Sequence, residues 1–140
     1  MIFKDLKKKT QTFLIFQSIG MLMGASTHLI WIMDNGVLSE KYNASLFSKI
    51  FWDSLVILDP AAALLLIVRP KVGLYLTLAI ITLDILHNNI FYFNELYLNS
   101  IEISDWVIKY WMIIGQVMFG IFVYITFKGN LKEIKLKSIE

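Results

Sequence analysis

Four long apolar segments alternate with short polar stretches along the chain. The apolar segments cover about residues 11–33, 47–68, 72–93 and 106–127. A helix needs ~20 such residues to cross a hydrocarbon core about 30 Å thick, because each residue adds about 1.5 Å. The pattern therefore predicts four transmembrane helices.

The polar stretches between these segments are short, and their lengths predict the topology. They read DNGVLSEKYNAS, RPK and NELYLNSIEISD. Short connections join antiparallel neighbours, and the middle one is brief enough to make spans two and three a tight hairpin. Pro70 is expected to stop the helix before it. We predict an all-α integral membrane protein, a single domain of residues 1–140 folded as an up-down-up-down four-helix transmembrane bundle.

The composition supports a membrane protein and excludes several classes of site. Hydrophobic residues make up 57% of the chain, above the roughly 45–50% of soluble domains. The chain has no cysteine, which excludes disulfides, thiol catalysis, thiolate metal sites and iron–sulfur clusters. No haem, flavin or nucleotide signature is present. Nucleic-acid binding is unsupported, because the basic residues lie at the expected membrane edges.

The basic residues also predict the orientation. Ten of the thirteen lie in the N-terminal KDLKKK, the RPK turn and the tail KGNLKEIKLK. Lysine and arginine concentrate on the cytoplasmic side of membrane proteins, so both termini are predicted to be cytoplasmic. The tail after Phe127 alternates Leu, Ile and Lys, which fits either an amphipathic piece on the inner leaflet or a frayed, solvated end.

Polar side chains interrupt every predicted span, and they fall on one face of each helix. At about 100° per residue, the shared faces carry Gly20, Gly24 and His28 in span one, Thr77, Asp84, His87 and Asn88 in span three, and Lys109 and Gln116 in span four. Asp53 lies in the first turns of span two. Ionisable groups in spans cost about 2.5–3.5 kcal/mol each on insertion scales, so we expect the faces to meet around one pocket that opens to the outside.

The candidate ligand-binding residues follow from this arrangement, together with two interfacial tryptophans. They are His28, Asp53, Asp84, His87, Asn88, Gln116, Lys109, Trp31 and Trp52. Asn88 and Gln116 are also compatible with simple interhelical hydrogen bonding, and Lys109 with snorkelling to the interface. Asp59, next to Pro60, is as compatible with a structural role as with a functional one. In the structural role it accepts hydrogen bonds from nearby backbone N–H groups.

The residue types allow three kinds of chemistry. Asp84 and His87 are spaced i, i+3, and with His28 and Asp53 they form a set of two histidines and two carboxylates that zinc or another divalent metal accepts. Without metal, the same groups suit proton transfer. They also suit a cationic amphiphile held between carboxylates and aromatic faces.

Three functions therefore stay open at this point. The first is binding of a small molecule, lipid or cation in an outward-facing acidic and histidine pocket, as a receptor or a carrier. The second is a membrane-embedded enzyme that uses the His/Asp cluster for metal-assisted or acid–base chemistry on a lipid-like substrate. The third is a non-catalytic subunit of a larger membrane complex. Beyond the lipid bilayer and a ligand, a thin four-helix bundle favours a homodimer or a membrane partner subunit.

Overall fold

The computed structural model describes residues 3–98, 102–109 and 111–137, apart from the side chains of residues 91, 93–98 and 109. Its helices are α1 (Lys8–Asn35), α2 (Leu46–Val68), α3 (Pro70–Leu98), α4 (Ile103–Lys109) and α5 (Trp111–Lys137), with short 3-10 turns at Phe3–Asp5 and Glu40–Tyr42. Within the described ranges there is no strand. Four helices, α1, α2, α3 and α5, are long and apolar enough to cross a membrane. The predicted all-α four-helix membrane bundle is confirmed.

The helices pack mainly in chain order. α1 packs on α2, α2 on α3 and α3 on α5, whereas α1 packs on α5 much less extensively. We call the end that holds Lys8, the α2–α3 connection and Lys137 the terminal end, and the opposite end the loop end. One buried cluster, which includes Leu14, Leu66 and Ile134, lies toward the terminal end. A second, which includes Met21, Trp52 and Leu55, lies toward the loop end.

The connection between α2 and α3 is a single residue, Arg69. The backbone N–H of Gly73 donates to the carbonyl of Arg69 at 3.0 Å. Gly73 also packs directly against the α2 backbone at Leu65 and Leu66, where a side chain has no room. Pro70 occupies the first position of α3, where its missing N–H costs no helical hydrogen bond. The tight hairpin predicted for spans two and three is the result.

The fourth spanning helix differs from its predicted bounds of 106–127. Residues Ile103–Lys109 form the separate helix α4, and the long helix α5 runs from Trp111 to Lys137 without a break. The tail is not frayed, because it continues α5 and buries one of its faces. Its buried residues recur every three or four positions along α5, which is the spacing of one packed helical face: Val123, Thr126, Asn130 and Ile134.

The packed tail returns to the start of α1. Glu133 Oε2 accepts a hydrogen bond from Thr10 Oγ1 at 2.9 Å, and its other oxygen accepts from the backbone N–H of Lys7. The first N–H groups of a helix have no partner within the helix. Glu133 therefore supplies from α5 the cap that the side chain of Lys7, the N-cap residue of α1, does not provide.

Candidate functional site

A cavity of about 460 Å³ lies between α1, α3 and α5 in the half of the bundle toward the loop end. α1 contributes residues between Gly20 and His28, α3 residues between Ile80 and Tyr92, and α5 residues between Trp111 and Phe119. From α2, only Asp59 reaches the lining. The cavity therefore occupies the gap that the limited packing of α1 on α5 leaves open.

α1 and α5 touch toward the terminal end and separate toward the loop end. Gln17 Nε2 donates to Thr126 Oγ1 at 2.9 Å, and the rings of Phe13 and Phe122 lie edge to face with 5.7 Å between centroids. Nearer the cavity, the ring of Phe119 packs directly on Gly20. The contact leaves no room for a side chain at position 20 of α1. It marks the boundary of the cavity on the side of the terminal end.

We call the edge of the cavity that carries exposed side chains of α1 and α5 its mouth. Met23 on α1 is 66% exposed, and Trp111 and Met112 on α5 are 64% and 56% exposed. All three line the cavity. Met23 lies in the middle of α1, whereas Trp111 and Met112 begin α5. The exposed edge of the cavity is therefore apolar on both helices.

A hydrogen-bond network built on Asp84 forms the polar floor. Asn88 Nδ2 donates to Asp84 Oδ1 at 3.1 Å and to Gln116 Oε1 at 3.1 Å. Gln116 Nε2 donates to Asp84 Oδ2, and Trp52 Nε1 donates to Asn88 Oδ1 at 2.7 Å. The network joins α2, α3 and α5, and it gives each oxygen of Asp84 a donor.

Asp59 is the functional candidate that the sequence left undecided. It is 4% exposed and lines the same cavity as Asp84. Its Oδ1 has no hydrogen-bond partner among the described residues. Its Oδ2 packs against Gly24, where an added Cβ would lie only 2.8 Å away. In the sequence, Gly24 was the one signal that pointed to Asp59, because a small residue on a neighbouring helix lets a polar side chain approach closely.

His28 lines the cavity, whereas Asp53 does not. Asp53 instead holds the loop between α1 and α2. It accepts hydrogen bonds from the backbone N–H of Leu38 at 2.7 Å and from the Tyr42 hydroxyl at 2.8 Å. Burial raises the pKa of Tyr42 above its usual value, and the hydrogen bond to Asp53 raises it further. The contacts of Asp53 are those of a residue that fixes a loop.

His87 also lies outside the cavity lining. Its ring packs against Phe51 and Trp52, each with 5.1 Å between centroids. Asp84 and His87 thus diverge despite their i, i+3 spacing, because Asp84 bonds to Gln116 of α5 while His87 packs against α2. Trp31 continues this aromatic cluster by packing on Tyr42 at 4.9 Å.

The structure thus brings together four of the sequence-predicted residues at the cavity: His28, Asp84, Asn88 and Gln116. Trp52 donates a hydrogen bond to Asn88 from the side of α2, whereas Asp53, His87 and Trp31 lie outside the cavity lining. The side chain of Lys109 falls outside the described part. The lining that sequence reasoning missed as a site includes Asp59, Met23, Tyr92 and Trp111.

The four candidate metal ligands do not gather around one point. Only His28 and Asp84 line the cavity, while Asp53 and His87 make the other contacts described above. In the described part of the chain, no group of three or more His, Cys, Asp or Glu side chains could hold a metal ion. What the cavity offers is two carboxyl groups, two amides and one imidazole at the end of an apolar passage.

Comparisons of this chain with protein-family models, with curated proteins and with solved structures found no match.

Proposed function

We propose that the protein binds a lipid-like small molecule that enters from the bilayer through the mouth between α1 and α5, as a receptor or a carrier. One observation carries the proposal: an apolar passage leads from an exposed helix–helix gap to a buried polar floor. A molecule with an apolar tail and a polar head matches both ends of that passage.

The size and lining of the cavity support this proposal. Its volume of about 460 Å³ falls within the roughly 300–1,000 Å³ of small-molecule sites, which are mostly apolar with a few convergent polar groups. In the proposed complex the tail lies between Met23 and Met112 at the mouth. The head group then lies among the polar side chains at the floor of the cavity.

The floor is also held in place before any ligand arrives. Asp84, Asn88 and Gln116 bond to one another, and the buried indole of Trp52 fixes Asn88 from the side of α2. Groups that are already ordered lose little conformational freedom on binding. A fixed arrangement of carboxyl and amide groups therefore favours recognition of one head group over another.

Two glycines of α5 provide a matched test. Gly115 lines the cavity, and an added Cβ there meets nothing within 4 Å. Gly129, on the same helix, has equally open surroundings but lies outside the lining. Gly115→Phe should fill the passage without disturbing helix packing, whereas Gly129→Phe places the same ring elsewhere on α5.

The measurement is saturable binding of radiolabelled 1-decanol to the full chain in zwitterionic nanodiscs, after subtraction of empty nanodiscs. We expect Gly115→Phe to weaken binding about tenfold or more, a loss of about 1.4 kcal/mol or more, and Gly129→Phe to bind like the native protein. Native-like binding by Gly115→Phe, or no saturable binding by the native protein, would contradict the proposal.

A further inference from the structure

The geometry points to the head group of the ligand: we infer that it is a protonated amine, and that Asp59 is its partner in the cavity. This inference rests on the proposed binding function and deepens it. The cavity holds two buried carboxyl groups with different surroundings, and the difference between them identifies the open binding position.

Asp84 is already satisfied by the protein. Asn88 donates to one of its oxygens and Gln116 to the other. Both donors are amides held by further bonds within the network. A ligand that bonded to Asp84 would have to displace one of these donors, so Asp84 is better suited to shape the floor than to bind the head group.

Asp59 has no such support. Its Oδ1 is buried without a hydrogen-bond partner in the described part of the chain, and the side chain is 4% exposed. An unsatisfied buried acceptor destabilises the folded protein, and more so when the group is charged. An N–H donor from a ligand at this position would remove that destabilisation.

The charge balance of the cavity favours a cationic donor over a neutral one. None of the described lining residues is lysine or arginine, although two are carboxylic acids and His28 is the one imidazole. A salt bridge joins Lys49 to Glu40 at 2.6 Å, and neither residue lines the cavity. Buried acids in a membrane are stabilised by a cation close by.

Asp59 also lies close to the exposed flank of α1. Its Oδ2 packs on Gly24, and the preceding residue on α1, Met23, is exposed and lines the cavity. Aromatic rings of Tyr92, Trp111 and Phe119 line the same space, and aromatic faces attract ammonium groups. An alkylamine could therefore place its nitrogen at Asp59 while its chain passes out between α1 and α5.

The test compares two probes with the same tail, decylamine and 1-decanol, on the full chain in zwitterionic nanodiscs at neutral pH. In the native protein we expect decylamine to bind about tenfold more tightly or better, because only the amine is charged. Asp59→Asn should reduce the ratio of decylamine affinity to decanol affinity to about one. Asp84→Asn should retain a preference for the amine. Thermal unfolding of each variant checks that it folds.

The outcomes separate this inference from the proposed function. Equal saturable binding of both probes to the native protein would overturn the amine assignment and leave lipid-like binding intact, and that comparison needs no variant. Loss of the amine preference in Asp84→Asn but not in Asp59→Asn would overturn the choice of Asp59. Absence of saturable binding by either probe would overturn both proposals.

Discussion

The carboxylate of Asp53, on α2, accepts a hydrogen bond from the backbone N–H of Leu38 at 2.7 Å, and Leu38 has the left-handed φ of 52°. Such a conformation is costly for a branched side chain unless its surroundings impose it. We expect Asp53→Ala to lower the free energy of unfolding by about 1–3 kcal/mol, because it leaves two donors unpaired.

Thermal unfolding in detergent measures this effect, and Asp34→Ala, at an exposed position near the same end of α1, is the control. In the Asp53→Ala background, Leu38→Gly should recover part of the loss, since glycine adopts positive φ readily. Equal stability of Asp53→Ala and Asp34→Ala would show that Asp53 does not hold the loop.

Tyr42 should make stability depend on pH at the alkaline end. Its pKa is raised in the folded protein, first by burial and then by the hydrogen bond to Asp53, above an unfolded value of about 10. A raised pKa contributes stability below the unfolded value, and this contribution is lost as pH increases through the folded value. The free energy of unfolding, measured from about pH 9 to pH 11, should therefore decline less steeply with pH in Tyr42→Phe than in the native protein. Parallel declines would contradict the assignment.

Glu133 should stabilise the junction of α5 with the start of α1. It accepts from Thr10 Oγ1 at 2.9 Å and from the N–H of Lys7. Loss of a helix cap costs about 0.5–2 kcal/mol, and we expect Glu133→Ala to cost about that much. Lys132→Ala removes an exposed neighbour and serves as the control in chemical unfolding. Identical chemical-unfolding midpoints for Glu133→Ala and Lys132→Ala would contradict the capping role of Glu133.

The buried Gln17 and the half-buried Gln116 should respond differently to the same substitution. Gln116→Leu removes the donor to Asp84 Oδ2, and we expect it to cost about 1–3 kcal/mol. Gln17→Leu loses one bond to Thr126 but also removes an Oε1 that has no partner among the described residues. The second change should therefore cost less in thermal unfolding. A larger loss for Gln17→Leu would show that the Asp84 network contributes little.

The predicted orientation can be checked by cysteine labelling, because the chain contains no cysteine of its own. Cysteines at Ser39 and Ser100 should react with an impermeant reagent added to sealed cells, and one at Ser138 should react only after lysis. Ser100 and Ser138 lie outside the described residues. The prediction depends on the distribution of lysine and arginine, and labelling of Ser138 in intact cells would reverse it.

Length and hydropathy were sufficient to predict α1, α2 and α3, because a spanning helix requires a long apolar segment. They failed for the end of α5. The lysines there left open an amphipathic piece or a solvated tail, whereas Asn130 and Ile134 continue the buried face of α5, and Ile134 packs with Leu14 of α1. Hydropathy averaged over a charged segment does not show a buried helical face when the charged residues occupy the other faces of the same helix.

Periodicity also predicted part of the site. It put Asp84 and Asn88 on one face, and the structure joins them to Gln116 of α5. It could not separate Asp84 from His87, because residues three apart differ by only about 60° around the helix and the partner helix decides which way each turns. It also could not assign Asp53 to the loop, since that depends on where Leu38 and Tyr42 fold back.

The limited packing of α1 on α5 has a consequence for the order in which the binding site is made. Translation supplies the α2–α3 hairpin, with its single-residue connection, before α5. The cavity wall needs both the first and the last spanning helix, so it exists only once α5 has docked. A ligand that binds the completed bundle but not its precursors stabilises it by mass action. If the proposed ligand binds there, its supply should raise the fraction of newly made protein that completes the bundle.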